Sequence, residues 1–577
     1  MLGPRAALVA LALAACAFAG VLSPAAALAA GNPPGEPEPI SAPPGSPMLV
    51  NSQTVPPKGF RLTAKQVGKI ASANPWVVNA LKGNPTWVHY VYTRGPGTWQ
   101  VSWFTPRPNQ KEKIQVYVSD ATGKVTQVWT GYQVAWTMAR GYPGAFGRAV
   151  NHLYVWLPLC LLFIAPFLPW RRRFTLLHLD LLMLLGFSIS LAFFNNANLG
   201  LSVPLVYPFM GYLMVRMLLL AFGVGRPREP LRTLVPTSWL AVGAIFLLGF
   251  TIALNVTDSN VIDVGYAGVI GAHKVLANTP LYGNWGNGNP AGDTYGPINY
   301  YTYLPFNLIF GWSGVWDSLP AAHAAAITFD VLTMLGLFVL GWMIRSRALG
   351  VVLAYLWAAY PFTLFVLSSN SNDSLVALWL VVALIALRSP PGRGVAAAFA
   401  GLTKFAPVAL APLFLRGAGP RPSRRDAFKY CLAYGLAVLA AMAYVVLHGN
   451  LGSFWRDSIA YQANRPAPFS IWGLWGGSAK TLKIPQHLWQ GMVVGLGLVV
   501  AFVPRGRRSI VQVAALGAAV IIGLQMAITY WFYLYIIWFF PLVIVALTAS
   551  HPPLPGSVRP LGGVAAGERE QRVPAPV

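Results

Sequence analysis

Charge is scarce in this 577-residue chain. Only 10% of its residues are Asp, Glu, Lys or Arg, against roughly a quarter in soluble globular domains. Apolar runs of about 18 residues or more recur along it, and so many nearly uncharged segments could not all be buried in a water-soluble protein. Acid is scarcer than base: 16 acidic residues face 41 basic ones, a net charge of +25. Cysteine is almost absent. Of three, Cys16 lies near the N-terminus and Cys160 and Cys431 lie in apolar runs, which excludes a disulfide framework and any cysteine-based metal spacing. No convincing internal repeat is present.

What remains is 55% hydrophobic and divides into apolar stretches and basic punctuation. Spans are predicted near 152–169, 176–195, 201–222, 237–256, 319–343, 348–367, 374–387, 430–447, 488–503, 510–528 and 531–549. The basic residues cluster between them: Arg171 to Arg173, Arg226 to Arg232, Arg345 and Arg347, Arg388 and Arg393, Arg416 to Lys429, and Arg505 to Arg508. This is the positive-inside pattern of a multi-pass membrane protein. It accounts for the net charge without a nucleic-acid partner. Residues 394–415 break the pattern, being apolar with both flanks basic. Gly401, Lys404 and Pro407 interrupt them, so a broken or re-entrant helix pair is predicted there. Residues 302–314 are a second candidate for a stretch that dips into the bilayer without crossing it.

The first 150 residues differ. Residues 1–30 read as a secretory signal, with Arg5, an apolar stretch to Leu22 and Ala27-Leu28-Ala29 before Ala30. A lipobox at Leu13 to Cys16 and an uncleaved first helix are the alternatives. Residues 31–57, rich in Pro, Gly and Ala, read as a disordered linker. Residues 58–147 read as a small α+β domain. Thr63 to Leu81 has amphipathic helical spacing, and Trp99 to Phe104, Lys113 to Val118 and Lys124 to Trp129 alternate as strands, with a turn at Asp120 to Gly123. Exporting this domain places the loops at about 257–318 and 448–487 outside the cell. The 550–577 tail is then cytoplasmic and disordered.

Those outer loops hold the candidate chemistry. Asp258 and Asp263 follow the span ending near Val256. A carboxylate there can serve as a general base or hold a divalent cation, or merely solvate a helix end. Lys404 sits within an apolar stretch, where charge is expensive and often functional. Asn370, Asn372 and Asp373 occupy an outer helix junction, where they line a sugar site or cap a helix. Trp472 and Trp475 either stack on sugars or belong to an interfacial belt. Asp180 and Asp330 fall inside spans and read as structural hydrogen-bonding groups.

Two resemblances follow from these residues. The helix, W-x-V-x-W-F and I-x-V-x-V-x-D-x-x-T-G-K-V pattern of residues 58–147 resembles a PepSY-type domain, an extracytoplasmic module expected to bind a protein partner rather than catalyse. Residues 237–549 resemble the GT-C superfamily of glycosyltransferases, specifically the polyprenol-phosphate mannosyltransferases of glycosyltransferase family 87. The resemblance rests on Asp263 followed by Gly265-Tyr266 to Lys274 and Pro280-Leu-Tyr282-Gly283. It also rests on Tyr295-Gly-Pro, Tyr303-Leu-Pro-Phe306, Gly401-Leu-Thr-Lys404-Phe-Ala-Pro407, Arg465-Pro-Ala-Pro-Phe-Ser-Ile-Trp472, and the aromatic stretch Tyr530 to Trp538.

The expected fold is a mainly α-helical, GT-C-like membrane bundle of about eleven transmembrane helices, three of them accessory helices in 148–236, plus a re-entrant pair. The resemblance implies transfer of a mannose-like hexose or pentose from a polyprenyl-phosphate donor to a lipid or glycan acceptor outside the plasma membrane. Asp263 is then the base, with Asp258 its competitor. Arg465, Lys404 and Lys480 are the phosphate ligands, with Lys483 and His487 as alternatives, and Tyr295, Tyr282, Asn372, Asp373 and Trp472 line the substrate. The resemblance allows a divalent cation, Mg2+ or Mn2+, at Asp263. The acids are five residues apart instead of adjacent, which counts against it. Two other classes stay open: a lipid or polysaccharide transporter, and a non-catalytic scaffold acting through the PepSY-like domain.

Overall fold

A computed structural model of the chain describes residues 47–553 apart from 109, 141–147, 169–173, 286–288, 290, 466 and 477–481. The signal segment, most of the linker, the Arg171 to Arg173 cluster, Lys480 and nearly all of the tail lie outside the described residues.

A five-stranded antiparallel meander leads the chain: β1 (Met48–Leu49), β2 (Val88–Thr93), β3 (Thr98–Phe104), β4 (Glu112–Ser119) and β5 (Val125–Thr130), in sheet order 1-2-3-4-5. The expected linker therefore ends inside the sheet, with Met48 paired to Thr93. The alternation in β3 sends Trp99, Val101 and Trp103 to one face, where they pack against Ala64, Val67 and Ala71. Those residues belong to α1 (Ala64–Ser72), which is capped by Thr63 and Gln66 in a reciprocal capping box. The expected single helix is two. Asn74 caps α2 (Pro75–Lys82), and Pro75 at its first position cannot continue α1. Asp120, in the β4–β5 turn, accepts the Trp99 indole N–H at 2.8 Å and the amides of Arg61 and Leu62 at 2.8 and 3.0 Å. It thereby joins the hairpin to the entry of α1. A short helix, α3 (Tyr132–Ala135), then leads off the sheet.

The rest is helical. In order come α4 (Leu153–Ile164), α5 (Leu176–Asn195), α6 (Leu199–Ala221), α7 (Thr237–Thr257), α8 (Asp263–Leu276), α9 (Pro297–Tyr301) and α10 (Leu304–Phe310). They are followed by α11 (Pro320–Ile344), α12 (Arg347–Ala359), α13 (Pro361–Ser368), α14 (Asp373–Ile385), α15 (Pro390–Thr403), α16 (Ala411–Arg416) and α17 (Arg424–Leu447). Short helical turns between Leu451 and Gly476 precede α18 (Lys483–Val499), α19 (Ile510–Ala527) and α20 (Ile536–Ala549).

Among the described residues, six helices are long and apolar enough to cross a membrane: α5, α6, α7, α11, α17 and α19. The pair α12 and α13, bent by 57°, makes a seventh if it counts as one span. These helices mark a membrane protein. The count falls short of eleven, because the segments expected at 152–169, 374–387, 488–503 and 531–549 form shorter helices. A helix of 13 residues, such as α14, is about 20 Å long against a hydrocarbon core of roughly 30 Å. The expected span at 348–367 bends at Tyr360, ahead of Pro361, which has no N–H to continue the ladder. Residues 394–415 do break, at Lys404 and Phe405 between α15 and a 3-10 turn at Ala406–Leu410. At the centre, every residue of α20 is buried.

Chain direction gives the bundle two unlike ends. The start of α14, the end of α15, the segment after α19 and the start of α20 meet at one end around a cavity. At the other end, four arginines satisfy main-chain carbonyls. Arg345 Nη2 donates to Ala549 O at 2.8 Å, and Arg393 donates from Nε to Phe414 O and from Nη1 to Leu387 O at 2.7 and 2.8 Å. Arg416 reaches Gly506 O and Pro420 O at 2.8 and 2.9 Å, and Arg508 reaches Val500 O and Pro504 O. Helix C-termini leave carbonyls unpaired, and arginine forks fill that deficit. Within the spans, Asp180 pairs with Arg216 at 3.1 Å and accepts the Tyr212 hydroxyl, while Asp330 accepts the Trp357 indole N–H at 2.9 Å. Both are structural contacts between neighbouring helices.

Candidate functional site

The cavity has a volume of about 800 Å³. Asp263, Asp373, Lys404 and Arg465 line it together with Tyr295. These residues come from five separate stretches of chain, with Asp263 placed by α8 and Lys404 by the end of α15.

Asp263 is the first residue of α8, whose sequence Asp-Val-Gly-Tyr-Ala-Gly-Val-Ile-Gly-Ala is rich in small residues. A Cβ at Gly265 would strike the Asn370 carbonyl, and one at Gly268 would strike the Tyr303 ring. Glycine thus lets α8 lie directly on its neighbours, with its N-terminus at the cavity. The Asp263 main-chain carbonyl accepts from Asn289 Nδ2 at 2.9 Å, which fixes that end further. Asp263 is itself solvent-exposed, because its side chain opens into the cavity, and protein surrounds that opening. Burial raises its pKa above the ordinary carboxylate value, and Arg465, the Val264 amide and Lys404 oppose that rise only in part.

Lys404 caps the broken end of α15. Its Nζ donates to Asp373 Oδ1 at 2.6 Å, with Asp373 fully buried and Lys404 nearly so. The rings of Tyr295, Tyr535 and Trp538 surround the ammonium at 5.7, 5.2 and 5.2 Å. Trp538 Nε1 also donates to Asp373 Oδ1 at 2.8 Å, and Ser371 Oγ donates to Oδ2 at 2.7 Å. Asp373 is therefore the counter-ion of Lys404 rather than the helix cap, a place taken by Asn372. Its polar contacts make the ion pair tolerable where there is little water.

Arg465 has a different setting. Its guanidinium lies 3.9 Å from the Tyr530 ring centroid, 5.1 Å from Trp136 and 5.5 Å from Tyr461. No carboxylate lies within ion-pair distance among the described residues. Its Nε is buried without a hydrogen-bond partner. A positive group stacked on aromatic faces, with donors unspent and an opening in front, suits an incoming anion.

The remaining candidates separate. Tyr295 lines the cavity. Tyr282 lies behind it and donates its hydroxyl to Tyr295 O at 2.9 Å. Asn372 is buried away from the cavity lining, donating to Asn299 Oδ1 at 2.6 Å, and Trp472 binds Met526 O at 2.7 Å. Neither lines the cavity, because each side chain points to a neighbouring segment. Asp258 is likewise displaced from it: it sits at the C-cap of α7 and accepts the Ala149 amide at 3.0 Å. Lys483 and His487, on α18, are also absent from the lining. Trp136, Thr137 and Met138, which follow the sheet domain, line the cavity and were not anticipated.

The donor set does not fit a divalent cation. Of the two cavity carboxylates, Asp373 has both oxygens engaged, which leaves Asp263 between two cationic side chains. Mg2+ and Mn2+ favour six oxygen ligands, and no group of three or more His, Cys, Asp or Glu is found among the described residues. Beyond the charged groups the cavity has an apolar part, with Ala409, Leu524, Ile528 and Phe532, beside polar side chains such as Asn260, Gln462 and Thr529. No protein-family model and no curated protein matches this chain.

Proposed function

We propose that the protein is a membrane glycosyltransferase of GT-C type. It transfers a mannose-like hexose or a pentose from a polyprenyl-phosphate donor to a lipid or glycan acceptor on the outer side of the cell membrane. The observation that carries this reading is the meeting of Asp263, Lys404 and Arg465 at one cavity that also has an apolar wall. That combination suits an amphipathic donor, with its phosphate at Arg465 and its isoprenoid against Ala409, Leu524 and Ile528.

In the proposed reaction the acceptor hydroxyl gives its proton to the Asp263 carboxylate as its oxygen bonds to the anomeric carbon. The bond from that carbon to the phosphate oxygen breaks, and polyprenyl phosphate leaves with the electron pair. Arg465 meets the added negative charge. A raised pKa makes Asp263 a stronger base while leaving it ionised above that value. Lys404, already paired with Asp373, contributes its remaining donors and holds Tyr295 and the aromatic segment in place.

The test is transfer from radiolabelled mannosyl and arabinosyl polyprenyl phosphates by the purified full-length protein in lipid nanodiscs, beside Asp263→Asn. The expected result is acceptor labelling by the wild type and its loss in a variant that remains folded. Equal labelling by both proteins, or none from any donor, would overturn the reading.

A further inference from the structure

Residues Gly131–Arg140 leave the sheet and are held on three sides. Tyr132 donates its hydroxyl to Gly473 O at 3.2 Å, in the loop that also carries Arg465. Gln133 Nε2 reaches Ala197 O, at the turn between α5 and α6, at 3.2 Å. Arg140 faces back to the sheet, donating to Gln115 Oε1 at 2.7 Å, and its guanidinium lies 5.3 Å from the Trp129 ring. Between these anchors Trp136 packs edge-on against Phe469 and near Tyr530, at centroid distances of 5.3 and 5.6 Å. It also faces Arg465 at 5.1 Å.

This arrangement does two things. It makes Trp136, Thr137 and Met138 a wall of the cavity. It also sets the Arg465 guanidinium against the rings of both Trp136 and Tyr530, which come from distant parts of the chain. A guanidinium held by aromatic rings, which accept none of its N–H groups in ordinary hydrogen bonds, keeps those donors for an anionic partner. A loop joined to the sheet domain at one end and to the Arg465 loop at the other also couples the position of that cation to the domain.

We propose that Trp136 is a positioning residue for Arg465, so that the N-terminal sheet domain forms part of the anion-binding site instead of being a separate appendage. This rests on the reading that Arg465 receives the donor phosphate. The experiment measures binding of a short-chain polyprenyl phosphate, and of the corresponding neutral polyprenol, to the full-length protein in nanodiscs. The proteins compared are the wild type, Trp136→Ala, Trp136→Phe and Arg465→Gln.

Trp136→Ala should weaken phosphate binding about tenfold, the scale of a desolvated cation–π contact, while leaving polyprenol binding unchanged. Trp136→Phe should recover most of the loss. As a check that does not depend on the alanine variant folding, Met138→Cys should react with a thiol reagent, read on its own peptide by mass spectrometry. Polyprenyl phosphate should protect it. If Trp136→Ala binds phosphate as the wild type does while Arg465→Gln does not, the positioning role is overturned and the transferase reading stands. If the alanine variant does not fold, an unprotected Met138→Cys overturns the inference. If neither the wild type nor Arg465→Gln binds the phosphate, both readings fail together.

Discussion

The two ends of the helical bundle use the same kind of residue in opposite ways. At one end Arg345, Arg393, Arg416 and Arg508 direct donors at main-chain carbonyls of helix ends and the loops after them, and Arg508 Nη2, away from the cavity, is buried without a partner. At the other end Arg465 stacks on Tyr530 and Trp136 and keeps a buried Nε unpaired. The contrast shows that a buried arginine is not in itself a sign of function. What distinguishes Arg465 is a donor left unspent beside a cavity. Lys404 lies between the two cases: it is next to the cavity but already paired with Asp373.

Substitutions at the two ends should therefore have different effects. The largest effect is expected at the cavity. Arg465→Gln should cut transfer by about 10²–10³-fold, the usual scale for losing a charge-stabilising donor, with little change in thermal stability. Next is Asp373→Asn, which leaves the Lys404 charge buried without a counter-ion. It should cost roughly 3–5 kcal/mol of stability, seen as a fall in Tm. Lys404→Met combined with Asp373→Asn should recover part of that loss.

Gly268→Ala should cost about 1–3 kcal/mol, because the new methyl meets the Tyr303 ring and α8 must move. A matching fall in transfer would show that α8 packing holds Asp263 in place. At the opposite end, Arg393→Met frees three carbonyls and should cost about 1–3 kcal/mol in stability while leaving the affinity for polyprenyl phosphate unchanged. The smallest effect is a pH shift. Asp263 is raised by burial and restrained by Arg465, so transfer should fall as pH drops through that raised value. In the residual activity of Arg465→Gln the acid limb should move to higher pH, because the charge favouring the ionised carboxyl has gone. An unmoved limb would place the two groups in separate sites.

Much of this was legible in the residues. The membrane class followed from charge scarcity, and the break at Lys404 from basic flanks on an apolar stretch. Asp263 and Arg465 stood out as charged groups in loops predicted to share one side. The partner of Lys404 was not identified, although a signal existed. Asp373 and Lys404 are equidistant in sequence from the Arg388–Ser389 turn, so antiparallel helices joined there bring them level. A lysine in an apolar stretch requires such a partner. Asp258 misled because position relative to a helix end does not specify side-chain direction, and its carboxylate turns to the Ala149 amide. Trp136 carried no sequence signal: its role arises from a contact with Arg465 more than 300 residues away, which local pattern cannot encode.

The most direct measurement is a side-by-side transfer assay of four full-length proteins: wild type, Asp263→Asn, Arg465→Gln and Arg393→Met, each normalised to folded protein. Activity is expected in the wild type and in Arg393→Met, with its loss in the two cavity variants. Full activity in Asp263→Asn, or equal losses in Arg393→Met and Arg465→Gln, would contradict that expectation.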